Sequence, residues 1–202
     1  MTAPDPVASQ PLRARPEVLD FLATRRSRPA KTLTGPAPDR AALAPLLQMA
    51  LRVPDHGKLE PWRLIVLERG ALDRLAALAG TRATEKGLAP DQAGKGVAQF
   101  ADSPLCVAVV AVPRDTGKVP EWEQVLSVGA VAATLCNAAQ AAGWGACWLT
   151  GWPAYDPGFL TEGLGLAPGE RLAGFVHIGT ETTLPPDRPR PDPERSIDWR
   201  DA

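Results

Sequence analysis

The sequence predicts a mixed fold of helices and strands, α+β or α/β, around a sheet of four or five strands. Segments with helical and strand-like hydrophobic patterns alternate in the order helix, helix, strand, helix, helix, strand, helix, strand, helix, strand. The chain has 202 residues, of which 45% are hydrophobic and 22% charged, as one globular domain requires. We therefore expect a single domain over residues 16–202, preceded by a disordered lead-in over residues 1–15.

Two helices and a strand are predicted near the N-terminus. Residues 16–27 form a helix that begins at a proline and ends in two arginines. Residues 28–39 are expected to be a loop, followed by a helix over residues 39–52. Pro45 inside this second helix predicts a kink or a later start. Residues 62–68 form a short apolar strand.

The clearest buried strand spans residues 105–112, where β-branched residues run without interruption between prolines. The tail from Leu184 is rich in proline and arginine, and we expect no regular element in it. The other predicted elements are helices over residues 71–79, 82–101 and 124–142, one further helix before the last strand, and strands over residues 144–150 and 171–180.

One long helix is expected to need a partner. Residues 125–155 carry no charge, but the segment includes Ser127, Thr134 and Gln140, and it is rich in alanine and glycine. A membrane span needs about 20 mainly apolar residues. We interpret residues 124–142 as a helix of a soluble protein that is apolar nearly all round. Such a helix must be covered on every side, and a second subunit is the expected cover.

Composition argues against several classes of protein. The net charge of −1 gives no sign of binding to nucleic acid or to a membrane surface. The N-terminus lacks the apolar core of a secretory signal. Three scattered cysteines among apolar neighbours predict buried thiols in a reducing compartment, and hence a cytoplasmic protein.

Common catalytic motifs are also missing from the sequence. It has no GxSxG nucleophile elbow, no P-loop and no GxGxxG after a strand. His56 and His177 are the only histidines, 121 positions apart, so we predict no metal site. No side chain is assigned a catalytic role.

The remaining chemistry lies in cationic groups on separate segments. Arginine forms planar, paired hydrogen bonds to phosphate, so such a set suits a phosphorylated ligand. Alternatives exist for individual members: the first arginine pair could compensate the dipole of a helix end, and His56 could be a turn residue satisfied by backbone. The set comprises Arg25 and Arg26 with Ser27, Arg52, His56 with Lys58, and Arg188 with Arg190.

Four motifs together resemble the FMN-dependent nitroreductase superfamily, and most closely its minimal-length branch of NAD(P)H nitroreductases. They are RRS at residues 25–27, PDHGKLEPWR at 54–63, GWGACWLTG at 143–151 and GFVHIGT at 174–180. The likeness covers residues 16–192. The most specific part is RRS followed about 27 residues later by the second motif.

The resemblance implies an α+β fold with a central, mostly antiparallel sheet of four to five strands flanked by helices. It also implies an intertwined homodimer with FMN at the subunit interface. By motif, Arg25, Arg26 and Ser27 are expected to contact the FMN phosphate and ribityl chain. Arg52 and His56 are expected to contact the flavin from the partner subunit. Trp148, Leu149 and Thr150 are expected to lie along the isoalloxazine ring.

The resemblance further implies an enzyme that takes hydride from NAD(P)H and reduces nitroaromatics, quinones or similar electron-poor acceptors by a ping-pong mechanism. Two alternatives remain open at this point. The protein could bind flavin as a carrier or sensor without turnover, or it could carry out a specialised flavin chemistry on the same scaffold.

Overall fold

The computed structural model describes residues 11–201, so most of the predicted lead-in, residues 1–10, lies outside it. Helices and strands alternate along the described chain except at α3 and α4, which are consecutive. The helices are α1 (Pro16–Thr24), α2 (Arg40–Ala50), α3 (Arg69–Glu85), α4 (Pro90–Ala101), α5 (Glu121–Ala141), α6 (Pro157–Leu164) and the short α7 (Pro193–Ser196). The strands are β1 (Leu33–Thr34), β2 (Trp62–Leu67), β3 (Cys106–Ala111), β4 (Gly145–Leu149) and β5 (Arg171–Glu181).

The five strands form one sheet in which every pairing is antiparallel. The long strand β5 is its centre, because it pairs with β1, β3 and β4. Strand β2 pairs with the other side of β3 and is the last strand on that side. This sheet and its flanking helices confirm the predicted α+β fold.

Both faces of the sheet are buried under helices. On β3, Val107 and Val109 belong to a core with α2 and α5 on one face. The intervening Ala108 and Val110 belong to a second core with α3, α4 and α6 on the other face. Because alternate residues of a strand point to opposite faces, this double cover explains why β3 is apolar throughout.

Helix α5 leaves an uncovered apolar stripe. Trp122, Val125 and Leu126 are exposed, and Gly129 and Ala133 continue the same helical face. The opposite face is buried in the core. No described residue buries the large side chains Trp122, Val125 and Leu126, and a second subunit that covers them remains a prediction.

The predicted end of the first helix is wrong, and the helices predicted over residues 71–79 and 82–101 are instead α3 (Arg69–Glu85) and α4 (Pro90–Ala101). Helix α1 ends at Thr24, because Arg25 turns into extended backbone with φ −55° and ψ 142°. No basic residue lies in its last turn, but Arg25 follows directly as the C-cap, so the dipole alternative still applies to Arg25. Helix α2 begins at Arg40, where the side chain of Asp39 accepts a hydrogen bond from the Ala42 N–H at 2.8 Å. Pro45 therefore does not delay the start.

Two short elements lie where none was predicted. Strand β1 falls inside the expected loop, and a two-residue strand is too short to set a hydrophobic period. Helix α7 falls inside the expected irregular tail. There Asp192 caps the helix by accepting from Glu194 N–H at 3.1 Å, and Pro193 suits the first helical position.

Among residues 11–201, none of the helices is long and apolar enough to cross a membrane.

Candidate functional site

A segment of extended chain after α1 carries the first predicted site residues and runs beside β4. Arg28 N–H donates to Ala146 O at 3.0 Å, near the start of that strand. Burial raises the pKa of the Cys147 thiol to about 11, and the backbone N–H of Ala30, two positions after Arg28, opposes this effect. Arg25, Arg26 and Ser27 are therefore placed at the start of β4, and the segment leads from there towards the strand's far end.

The predicted C-terminal arginines meet this segment. A cavity of about 170 Å³ is lined by residues 25–27 and residues 188–191. Asp187 adjoins it and accepts from Arg188 N–H and from Arg190 Nη2, both at 2.9 Å. The backbone N–H of Arg188, followed by the charges of Arg190 and Arg26, lowers the pKa of Asp187. Four arginines thus meet one nearby carboxylate, and the cavity has excess positive charge.

We call this group of side chains the arginine cradle; it comprises Arg25, Arg26, Ser27, Arg188 and Arg190. Two guanidinium nitrogens in the cradle lack a hydrogen-bond partner among the described residues. Arg25 Nε and Arg26 Nε are buried without a hydrogen bond to any residue that the structure describes. The other bonds of these side chains are local, from Arg26 Nη1 to Ser27 O at 3.2 Å and from Arg25 Nη2 to Ser27 Oγ at 3.5 Å. Buried N–H groups normally have an acceptor. An anion with several oxygen atoms would supply one.

A larger cavity of about 530 Å³ lies at the other end of the same segment. It is bounded by residues 29–31, by the C-terminal half of α4 and by residues 149–151. Its wall carries the charged side chains of Lys31, Lys95 and Asp102, of which Lys95 pairs with Asp91 at 2.7 Å. Gln99 Nε2 donates to Thr150 O at 3.2 Å. The cavity therefore combines apolar walls with a few polar groups, as expected of a site for a flat organic ligand.

Trp148 is locked in place at the end of β4. Its indole N–H donates to Ala173 O at 3.1 Å. A Cβ on Gly174 would lie 2.1 Å from the indole nitrogen, so only glycine fits beneath the ring. Trp148 and Leu149 are each 40% exposed, which leaves an apolar surface beside the cavity open to a ligand.

The polar loop before β2 is built against the first turns of α5. Ser127 Oγ donates to Pro54 O at 2.5 Å, and Asp55 accepts from the N–H groups of Leu59 and Glu60 at 3.1 and 3.0 Å. His56 Nδ1 lies 2.7 Å from Glu123 Oε2. This loop projects His56 into solvent at the N-terminal end of α5, with 64% of its side chain exposed.

The structure does not bring all predicted residues together within one chain. Arg25 shares a cavity wall with Gln140 near the C-terminal end of α5, whereas His56 contacts Glu123 at the other end. Glu123 and Gln140 are separated by 17 positions, which corresponds to about 26 Å at 1.5 Å per residue. Arg52 is exposed just past the end of α2. One phosphate cannot contact Arg25 and His56 of the same chain.

Sequence reasoning missed Lys31, Lys95, Gln99 and Glu123. Lys31 follows the first motif by four positions, whereas the others lie on segments remote in sequence from the residues that they accompany; His56 and Glu123, for example, are 67 positions apart. No motif links such pairs, and only the folded chain shows the contact.

Comparison with known proteins identifies the family. The model of the nitroreductase family matches residues 22–180, most of the chain. This chain belongs to the nitroreductase family.

Individual relatives agree with that membership. A protein of Haemophilus influenzae named "Putative NAD(P)H nitroreductase" is 36% identical over 166 residues, which cover 81% of this chain and 88% of the relative. The nitroreductase-like family protein from Bacillus cereus superimposes with a TM-score of 0.76 at 23% identity, over 96% of this chain and 100% of that one. The FMN-dependent nitroreductase from Clostridium difficile superimposes with a TM-score of 0.64 at 19% identity, over 91% of this chain and 99% of that one. Together they establish a nitroreductase-like fold.

Proposed function

We propose that this protein is an FMN-dependent oxidoreductase that takes hydride from NAD(P)H and reduces electron-poor acceptors such as nitroaromatics or quinones. The observation that carries the proposal is the arginine cradle, where two buried guanidinium nitrogens lack an acceptor within the described chain. Membership of the nitroreductase family and the names of the relatives support the choice of flavin and donor.

The cradle fits a phosphate monoester. Arg25 and Arg26 offer free N–H donors, Ser27 offers a hydroxyl, and Arg188 and Arg190 line the same cavity. Charge-assisted hydrogen bonds from arginine to phosphate are short and strong, and the guanidinium plane favours paired contacts. We assign the FMN phosphate and the adjoining ribityl chain to this group of residues.

The cavity at the end of β4 fits the flavin ring. Leu149 and Thr150 border it. The indole of Trp148 holds the end of β4 against β5 through its hydrogen bond to Ala173 O. Lys31 would place positive charge beside the ring when the ring is reduced and anionic, and a preorganised charge stabilises that form. We assign the ring to this cavity and the surface beside it.

We further propose a homodimer in which each flavin is bound by both subunits. Within one chain, Arg25 and His56 lie near opposite ends of α5, about 26 Å apart along its axis. Two antiparallel α5 helices related by a twofold axis would bring the two ends together and cover the exposed stripe on each helix. Arg52 and His56 would then reach the flavin of the partner.

Bound FMN would accept hydride from NAD(P)H and deliver electrons to the acceptor in the same pocket, which gives ping-pong kinetics. The residues of this chain bind and orient the flavin: the cradle fixes its phosphate, and the cavity wall excludes water from one side of the ring. None of their side chains is assigned a proton-transfer step.

We also retain two predictions about the whole chain, a single domain over residues 16–202 and a cytoplasmic location. The three cysteines are buried free thiols, as expected in a reducing compartment.

The decisive experiment mixes FMN-loaded protein with NADH or NADPH without oxygen and follows the flavin absorbance. Bleaching, followed by recovery of the absorbance on addition of a nitroaromatic or a quinone, supports the proposal. A flavin that neither nucleotide reduces would instead favour a carrier or sensor. Reduction without oxidation by either acceptor would favour a specialised flavin chemistry, to be identified from its products.

A further inference from the structure

We infer that Glu123 is a positioning residue, which holds the His56 ring so that Nε2 faces the flavin of the partner subunit. The inference rests on the proposed function and adds a residue to the site that no motif indicated. Glu123 acts through His56 and does not itself contact the cofactor.

The first argument is the direction of the hydrogen bond. His56 Nδ1 lies 2.7 Å from Glu123 Oε2, and an ionised carboxylate only accepts. The proton must therefore sit on Nδ1, and Nε2 is the ring nitrogen left for a ligand. Without Glu123 the ring could rotate, and either nitrogen could carry the proton.

The second argument is the rigidity of the loop. Asp55 fixes two backbone N–H groups of the loop, and Ser127 fixes the Pro54 carbonyl. Lys58 and Glu60 adopt left-handed backbone, with φ of 53° and 46°, which is uncommon outside glycine and marks a tightly determined conformation. With the backbone held in this way, the torsions of the His56 side chain are the remaining freedom, and Glu123 restricts them.

The third argument is charge. A carboxylate in direct contact with an anionic cofactor would weaken binding, so Glu123 is useful only behind an intervening imidazole. His56 is the outer group of this pair, because 64% of its side chain is exposed against 44% for Glu123 on the first turn of α5.

The test is a double-mutant cycle on FMN affinity, measured by fluorescence titration of flavin-free protein. The variants are Glu123→Ala, His56→Ala and both together. Loss of one positioning hydrogen bond should weaken FMN binding about five-fold. Because Glu123 acts through His56, its replacement should have no further effect once His56 is alanine.

Two further variants separate positioning from other effects. Glu123→Gln keeps an acceptor for Nδ1–H and should restore most of the affinity. Glu121→Ala removes a carboxylate from the same helical turn, one that pairs with Arg171 at 2.9 Å, and should leave the affinity unchanged. It therefore controls for the charge of the first turn of the helix.

The outcomes are distinguishable. The positioning role is overturned if Glu123→Ala weakens FMN binding equally with and without His56. It is also overturned if Glu123→Ala or His56→Ala leaves the FMN affinity unchanged. In each of these cases the cradle and the proposed function stand. Failure of the unaltered protein to bind FMN overturns the proposed function, and the positioning role falls with it.

Discussion

Arg25 and Arg26 are the residues on which the phosphate assignment depends. Both have a buried Nε without an acceptor in the described chain. Replacement of both by alanine should abolish FMN retention, since removing a charge-assisted hydrogen bond to the phosphate costs about 1.5–3 kcal/mol for each arginine. Equilibrium dialysis against FMN measures the effect.

The matched control for this change is Arg40→Ala. Arg40 is an exposed arginine that pairs with Glu68 at 2.7 Å, remote in sequence from the cradle. Its removal should leave FMN affinity unchanged. Full flavin content in the double variant would show that the phosphate lies elsewhere.

We assign His177 a role in the stability of the fold and none in the candidate site. It lies in the sheet between Cys106 of β3 and Cys147 of β4, and its Nδ1 contacts Ser103 Oγ at 2.8 Å. Its Nε2 is buried without a partner among the described residues. Burial disfavours the charged ring and lowers the pKa of His177 to about 4 from its usual 6.5.

This shift predicts a pH dependence of stability. Between pH 6.5 and 4 the unfolded chain binds a proton at this position more readily than the folded chain does. The free energy of unfolding should therefore fall as pH falls through this window, by about 3 kcal/mol from this group. Urea titrations at a series of pH values measure the change.

The variant His177→Leu is the control for this slope. Leucine is apolar and cannot be protonated, so the part of the slope that belongs to His177 should disappear. An identical pH profile in the variant would assign the slope to other groups.

At the level of elements, Asp156 joins two helices. It caps α6 through Phe159 N–H and pairs with Arg82 of α3 through bonds of 2.8 and 3.0 Å. The Arg82 bond, with its charge and that of Lys86, lowers the pKa of Asp156 to about 2 against the opposing effect of burial. Asp156→Ala should destabilise the protein by about 3 kcal/mol, because the guanidinium loses its buried partner.

Glu85→Ala is the comparison for that change. Glu85 contacts the same guanidinium at 2.7 Å but is 53% exposed. Exposed pairs contribute little, so the loss should stay below about 1 kcal/mol. Thermal melts followed by circular dichroism would show whether the two costs differ as expected, and equal costs would contradict the buried role of Asp156.

The sequence allowed the main elements to be predicted because their hydrophobic patterns are local. The apolar run of β3 and the uncharged segment that makes up most of α5 are both found near their predicted positions. An element whose formation depends on one long-range pairing was missed. Strand β1 exists because Leu33 and Thr34 pair with β5, nearly 150 positions away, and no local pattern indicates this.

The residues of the candidate site also fall into two groups, those that a local motif indicates and those that only the packing of the chain brings close. Arg25, Ser27 and Thr150 fall within contiguous motifs, so resemblance was sufficient to name them. Lys95 and Glu123 approach the site only through packing of α4 and α5, and the sequence around them is ordinary for a helix surface. The approach of Lys95 to the flavin and the action of Glu123 through His56 are still predictions.

For the whole molecule, the exposed stripe on α5 makes a prediction about assembly. Leu126→Asp places a charge in the middle of the proposed dimer interface, where leucine is 55% exposed in the single chain. The variant should sediment as a monomer and lose FMN, because neither flavin would then have residues from two subunits. Analytical ultracentrifugation with absorbance at the flavin band measures both effects.

Ala77→Asp is the control for Leu126→Asp. Ala77 is exposed on α3, which covers the opposite face of the sheet. This variant should keep the assembly state and flavin content of the unaltered protein. A Leu126→Asp variant that remains a flavin-loaded dimer would exclude α5 as the interface.

The visible spectrum of the purified protein, taken before and after acid release of any ligand, tests the central claim most directly. The account predicts flavin absorption bands and FMN in the supernatant, with one FMN for each chain. A colourless protein that also takes up no added FMN would contradict it, and only the fold and the family membership would then stand.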